Sequence, residues 1–465
     1  MNMLIDGELV TSDKNFDVLN PAFEEVLGTA PECTRVQLDS AIDAAEIAFC
    51  SWRKNIDLRR NVLLKCAKTM RANAEDLARL LTQEQGKPLA KAMREIGEAT
   101  RWFEYTAGLS IPKETIEVQG QETVEVRRRP LGVVAAITPW NYPVMSAVCK
   151  IAPALLAGNT IVLKPSPFTP LTTLKLGELL KDTIPRGVLN FVSGGNALGE
   201  WMTNHPAVRK ISFTGSIATG KSVAMAAASD LKRLTLELGG NDPAIVLPDA
   251  DPKDIAHKLF SGAFENSGQV CVAIKRIYVH ENIYNQTIDE LVSIAQGIKL
   301  GDGLDENTDL GPVNNRQQFE RVQELIEDAQ QKGGKIATGG QRHGNKGYFI
   351  EPTIVTNLPD DSRLVAEEQF GPALPILAYR KLDEVIERAN SGMFGLAASI
   401  WSPDKKRATQ ISQELDCGLV WINQHLNIAP QVPLGGLKWS GIGVENGYWG
   451  LYEFTELQVV EVAQS

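Results

Sequence analysis

The order of apolar and polar positions divides the chain into three stretches. The first 110 residues read as mostly helical after a short extended start. Thr34 stands where a helix cap is needed before VQLDSAIDAAEIAF, and a second amphipathic stretch runs from about Leu58 to Glu84. From Gly120 the period changes: QETVEVRRRP alternates and predicts an exposed strand or hairpin arm. Short apolar runs then alternate with helical ones. LGVVAAI (131–137), TIVLKP (160–165), VLNFVSG (188–194) and RKISFTG (209–215) predict strands, with helices over 144–157, over 171–181 and from about Gly220. This rhythm predicts an α/β fold with a parallel sheet covered on both faces. Ligands of such sheets bind at the carboxyl ends of the strands. Here those ends carry TPWN, KPS, SGG and FTGS. A second alternating region, about Leu234 to Ser440, holds the strand candidates PAIVLP, RIYVH, FIEPTIV, LPILAYR, ASIWS and GLVWIN. No Pro/Gly/Ser linker separates the halves, so two domains packed together are expected.

Composition narrows the class. The 465 residues exceed one ordinary domain, and 43% hydrophobic with 22% charged residues suits a globular chain with a large core. A net charge of -10 disfavours a nucleic-acid or anionic-membrane partner. The one tight basic run, Arg127 to Arg129, reads as a solvated strand end. The six cysteines form no CxxC pair, which speaks for a reducing, cytoplasmic setting. The start shows no basic segment followed by an apolar run, so no secretory signal is expected. No stretch approaches the roughly 18–20 apolar residues of a membrane helix.

One motif points elsewhere. Residues 215–222, GSIATGKS, satisfy the phosphate-loop pattern and follow a predicted strand. A nucleotide hydrolase built on it would depend on Lys221. Yet such a loop usually opens its domain, and three strand–helix units precede this one. The shared physics is simpler: backbone N–H groups at a helix N-terminus attract phosphate, whatever molecule carries it.

Four further segments, TPWN (138–141), LELGG (236–240), ENSGQVC (265–271) and EEQFGP (367–372), occur in this order. Together with IDGELV and NPA near the start and PLGGLKWSGIGVENG (433–447) near the end, they closely resemble the aldehyde dehydrogenase superfamily. The resemblance spans nearly the whole chain. It implies two Rossmann-like parallel-sheet domains plus a β-arm for oligomerisation. The cofactor-binding domain would take 1–117 and 130–237, the catalytic domain 238–440, and the arm and tail 118–129 and 452–465.

The chemistry is coherent on its own terms. An aldehyde can lose hydride only after a nucleophile has added to its carbonyl, and a thiolate makes that adduct. The resemblance makes Cys271 this nucleophile, although a free cysteine is more often an inert buried thiol. That bland reading stands for Cys33, Cys50, Cys66 and Cys417. The adduct's oxyanion needs preorganised donors, and Asn141 matches the family's amide. Glu237 matches the base that activates water against the thioester, which favours hydrolysis over transfer to coenzyme A. Lys150 and Glu445 match a proton-relay pair, each also readable as a member of a structural ion pair.

By the same resemblance, Thr138 and Trp140 line the dinucleotide groove and Lys164 reaches the adenosine ribose. Gly215 and Ser216 meet the pyrophosphate, and Glu368 with Phe370 holds the nicotinamide ribose. Many NAD-preferring members carry a Glu three residues after the ribose-binding lysine. Here that position is Pro167, so repulsion of a 2′-phosphate is lost and use of both NAD and NADP is expected. Tyr142, Met145, Ser146, Cys149, Val270, Val272, Asn427, Ile428 and Leu434 would line a largely apolar substrate tunnel without an arginine clamp. A medium-sized uncharged aliphatic or aromatic aldehyde is expected, with a semialdehyde as the alternative. No metal is expected. The arm near 118–129 is expected to pair with the tail ELQVVEVAQ and to bridge subunits, since both alternate and suit strand addition, so a homodimer or homotetramer is expected. A silent, purely structural member of the fold would not need Cys271, Glu237 and Asn141 together.

Overall fold

The computed structural model describes residues 1–119 and 121–463. Gly120 of the predicted arm and Gln464 and Ser465 of the predicted tail lie outside the described residues. Two parallel-rich sheets form the body. The first has eight strands. Five of them are parallel neighbours, in the order Arg233–Glu237, Val208–Thr214, Val133–Ile137, Thr160–Lys164, Leu189–Phe191. Val133–Ile137 and Thr160–Lys164 are buried along their whole length, as their unbroken apolar runs require of strands covered on both faces. The second sheet has seven strands. Six run parallel, from Thr353–Thr356 through Ala373–Tyr379, Ile274–His280, Asp242–Val246 and Ala397–Trp401 to Leu419–Ile422.

The first hundred residues hold more strand than their pattern suggested. Met3–Ile5 and Glu8–Val10 extend the first sheet antiparallel at its edge, and Asn15–Asn20 pairs with Glu25–Pro31. The helix behind Thr34 forms as expected, over Arg35–Trp52. Thr34 accepts from the Gln37 N–H while Gln37 reaches back to the Thr34 N–H, a reciprocal cap. The predicted stretch from Leu58 to Glu84 is two helices, Ile56–Ala72 and Ala74–Gln85. Asn73 causes the break. Its side chain donates to Thr69 O at 2.8 Å and its N–H to Met70 O, so it closes the first helix. FIEPTIV is a strand only over Thr353–Thr356, because Pro352 has no N–H to give a ladder. The short helix Asn196–Asn204 was not expected.

The arm is a three-stranded antiparallel sheet. Gln121–Pro130 lies between Glu114–Ile116 and Thr455–Ala463, with Thr455 opposite Pro130 and Val459 opposite Val126. It therefore begins before residue 118, and its pairing with the tail is made within one chain. The C-terminal segment also returns to the first sheet. Gly441–Ile442 pairs antiparallel with Leu236 and Glu237, and Leu451 and Phe454 are buried in the first core.

Candidate active site

The register of the first sheet sets the site. Thr214 pairs with Glu237, and Ile137 pairs with both Phe213 and Lys164. Thr138, Lys164, Gly215 and Glu237 therefore end adjacent strands at the same level. From the central strand Val133–Ile137 the chain builds outward in both directions, so its carboxyl end is a switch point where a crevice must open. A cavity of about 1300 Å³ lies there. Asn141, Gly215, Ser216 and Glu237 face it from the first sheet, and Cys271, Glu368 and Phe370 face it from the second.

Cys271 is carried by a strained loop. The helix Pro252–Phe264 ends, and Asn266, Ser267 and Gly268 then follow with φ of 51°, 55° and 76°. Left-handed non-glycine residues cost about 1–3 kcal/mol each and persist only where their surroundings hold them. Here they are held. Ser267 donates to Gly311 O at 2.7 Å, Gln269 to Asn266 O at 2.8 Å, and Lys275 Nζ to Gly268 O at 2.7 Å. A Cβ on Gly268 would stand 2.3 Å from Gly371 O, so only glycine fits. The polar letters of ENSGQVC are thus the scaffold that presents the thiol.

The glycines of LELGG have a related cause. A Cβ on Gly239 would meet Glu368 Oε2 at 2.2 Å, and one on Gly240 would meet Cys271 O at 2.6 Å. Their absence lets the strand end that carries Glu237 approach both Cys271 and Glu368. Glu368 Oε1 accepts from Gly240 N at 3.0 Å.

The electrostatics favour the neutral forms. Burial, then the charges of Glu368, Glu237 and Asp242, push the half-buried Cys271 thiol up to about 12, against the opposing pull of Lys275. Burial pushes the Glu237 carboxyl well above the carboxylate range, helped by Glu445 and opposed by Lys150. Glu237 Oε1 is buried without a hydrogen-bond partner, an uncommon state that calls for a reason. Asn141 Nδ2 donates to Gln269 O at 2.9 Å. That bond fixes the amide plane and leaves its second hydrogen free.

Of the residues predicted from sequence, Cys271, Glu237, Asn141, Glu445, Trp140, Gly215, Ser216, Glu368 and Phe370 line the cavity. So do Tyr142, Met145, Ser146, Cys149, Val270, Val272, Asn427, Ile428 and Leu434. Trp140 and Phe370 meet edge to face at 5.2 Å. Lys150, Thr138 and Lys164 stand behind the wall. Lys150 is fully buried and donates to Glu445 at 2.6 Å and Thr214 at 2.8 Å. Lys164 donates to Pro165 O at 3.1 Å, and burial pushes its ammonium down to about 8.

The phosphate-loop reading of 215–222 is not favoured. Lys221 lies 3.3 Å over the Trp439 ring, outside the cavity, and Ser222 bonds to its own helix at Ala218 O. Ser216 instead caps the helix Ile217–Ala228 by accepting from Thr219 N at 3.2 Å, and Ile217 and Ala218, which open that helix, line the crevice.

Sequence reasoning missed the cavity's outer wall. Lys91, Arg94, Glu95, Glu98 and Trp102 of the helix Leu89–Ala107 line it. Their three- and four-residue spacing puts them on one face, but charged residues at that spacing look like a solvated surface. At the mouth Lys91 pairs with Glu265 at 2.7 Å and Arg94 with Glu98 at 2.9 Å, so these two cations are matched.

A family model described as "Aldehyde dehydrogenase family" matches residues 9–460. A phenylacetaldehyde dehydrogenase of Pseudomonas fluorescens is 39% identical over 99% of this chain and 95% of its own length. The NAD+ complex of an aldehyde dehydrogenase from Bacillus cereus superposes with a TM-score of 0.98 at 38% identity, covering 100% of this chain and 97% of that one. An NADP-dependent enzyme of E. coli superposes at 0.97 with 37% identity, covering 100% and 98%. The chain belongs to the aldehyde dehydrogenase family, whose members are oxidoreductases acting on aldehydes with NAD or NADP.

Proposed function

We propose that this chain oxidises an aldehyde to its carboxylic acid through a covalent adduct on Cys271. The observation that carries the reading is convergence: Cys271, Asn141 and Glu237, from three separate segments, line one cavity. The Cys271 thiol gives up its proton to solvent water, Sγ adds to the carbonyl carbon as a thiolate, and the carbonyl oxygen becomes an oxyanion. The free amide hydrogen of Asn141 and the Cys271 backbone N–H stabilise it; one such donor is worth about 10²–10³ in rate. Collapse of the oxyanion expels hydride and leaves a thioester. Glu237, whose carboxyl burial raises well above the usual range, takes a proton from water as it attacks the thioester carbon, the C–S bond breaks, and the acid leaves with Cys271 regained as the thiolate. Lys150 and Glu445 pass that proton outward.

NAD or NADP, when bound, supplies the hydride acceptor. The chain's own groups fit it. The N-terminus of Ile217–Ala228 behind Ser216 suits a pyrophosphate, and Gly215 has no side chain to fill the crevice. Glu368 and Phe370 suit the nicotinamide ribose, Thr138 backs the groove from behind its wall, and Lys164 reaches the adenosine ribose only by turning away from Pro165 O. Pro167 supplies no carboxylate against a 2′-phosphate, so both dinucleotides should serve.

The inner tunnel, lined by Tyr142, Met145, Val270, Val272, Ile428 and Leu434, favours a medium-sized uncharged aldehyde. The pairing of Arg94 with Glu98 and of Lys91 with Glu265 supports this over a semialdehyde with a free carboxylate. Residues 1–113 with 131–237 serve as the cofactor-binding domain, 238–440 as the catalytic domain, and 114–130 with 455–463 as the arm. The outer strand of the arm exposes Leu457, Val459 and Val462, which suits closure of a homodimer or homotetramer. Six free cysteines fit a cytoplasmic location. A panel of neutral and carboxylated aldehydes with NAD and NADP, followed by reduced-cofactor absorbance, tests the reading. Neutral substrates should lead, and Cys271→Ala should abolish the signal. A dicarboxylic semialdehyde far better than its neutral counterpart would overturn the substrate assignment.

A further inference from the structure

We infer that Lys87 and Glu95 are positioning residues that hold Asn141 and Tyr142 in register with the Cys271 loop. The inference rests on the oxyanion role proposed for Asn141. Lys87 Nζ and Glu95 Oε2 are 2.5 Å apart, with side chains 1% and 0% exposed. A buried ion pair is poor evidence of stability, since desolvation offsets most of its attraction. Its partners show what else it does. Lys87 Nζ donates to the backbone carbonyl of Asn141 at 2.9 Å and stands 3.6 Å over the Tyr142 ring. Glu95 Oε1 accepts from Val144 N at 3.0 Å and Met145 N at 3.1 Å. These are the free N–H groups that open the helix Pro143–Ala157, for which Tyr142 offers no side-chain cap. The Asn141 carbonyl also accepts from Asn266 Nδ2 at 3.2 Å.

One ion pair thus ties four segments together: the turn holding Lys87, the helix Leu89–Ala107, the TPWN loop and the start of the helix Pro143–Ala157; the Asn141 carbonyl it holds is shared with Asn266 of the loop before Cys271. It grips Asn141 by the main chain and leaves the side-chain amide to face the cavity. Glu95 and Tyr142 themselves line that cavity, so a shift of the pair moves both the oxyanion donor and the tunnel wall.

Two variants test this. Glu95→Asp keeps both charges and withdraws the carboxylate by one methylene. The double variant Lys87→Met, Glu95→Gln removes both charges together and keeps an acceptor for the Val144 and Met145 N–H groups. The readout is the pre-steady-state burst of reduced cofactor, with the cofactor dissociation constant and the alkylation rate of Cys271 as controls. Both variants should slow the burst at least about tenfold with both controls unchanged. Adding Asn141→Ala to the double variant should then cost much less than it costs the parent enzyme. A parental burst in both variants, or a full additional loss from Asn141→Ala, overturns the positioning role. An undiminished burst in Asn141→Ala alone overturns the oxyanion assignment, and this inference with it.

Discussion

Lys150 Nζ donates to Glu445 Oε1 at 2.6 Å, and both charges bear on Glu237 in opposite directions. Glu445 pushes the Glu237 carboxyl up and Lys150 holds it down. The two substitutions should therefore separate. Glu237 acts as a base only when deprotonated. Lys150→Met should move the rising limb of the kcat–pH profile to higher pH, and Glu445→Gln should move it to lower pH. The kcat of Lys150→Met near neutrality should fall about 10–100-fold. Shifts of the same sign in both variants would show that the pair acts on hydrolysis by some route other than the charge of Glu237.

The cofactor-free enzyme should react sluggishly with alkylating agents. Only the thiolate is nucleophilic, and burial with three nearby carboxylates pushes the Cys271 thiol up to about 12. The Cys271-dependent alkylation rate, taken as the difference from Cys271→Ala, should climb about tenfold per pH unit between about pH 7 and pH 10. A plateau below pH 8 would contradict the electrostatics described for the site.

The strained loop before the thiol has its own test. Gly268→Ala places a Cβ 2.3 Å from Gly371 O at a φ of 76°. Displacement of the Cys271 loop should lower kcat/KM by at least about tenfold, while cofactor binding at the Ser216 helix stays intact. Parental kinetics in this variant would mean that the loop tolerates relaxation without consequence.

Pro167 governs the choice of dinucleotide in this account. The ratio of kcat/KM for NAD over NADP should stay below about a thousand, which is roughly 4 kcal/mol. Pro167→Glu should raise it at least about tenfold by placing a carboxylate against the 2′-phosphate. An unchanged ratio would move the determinant elsewhere in the groove.

The sequence was most legible where local pattern and tertiary demand agree. Fully buried parallel strands such as Val133–Ile137 must be apolar throughout, and they read so. The segments LELGG, ENSGQVC and EEQFGP were legible because backbone approaches near 2–3 Å exclude side chains and leave glycines at fixed spacing. Four things were hidden. The break at Asn73 depends on one side chain turning back to Thr69 O, against an amphipathic period that continues beyond it. The alternation of Gln121–Pro130 and Thr455–Ala463 suggested that arm and tail pair, but that the pairing closes within one chain, across some 330 residues, is beyond the reach of any local pattern. Lys87 and Glu95 carry no local signal that sets them apart, because burial depends on what packs over them. The cavity's outer wall on Leu89–Ala107 was missed for the same reason.

The central claim is a covalent acyl enzyme on Cys271 that Glu237 hydrolyses. Its most direct test is Glu237→Gln mixed with aldehyde and NAD, quenched in acid, and read by peptide mass spectrometry. The account predicts one equivalent of reduced cofactor in a burst, turnover slowed by about 10²–10⁴-fold, and the substrate's acyl group on the peptide bearing Cys271. Reduced cofactor formed at the parental steady rate, with Cys271 unmodified, would contradict it.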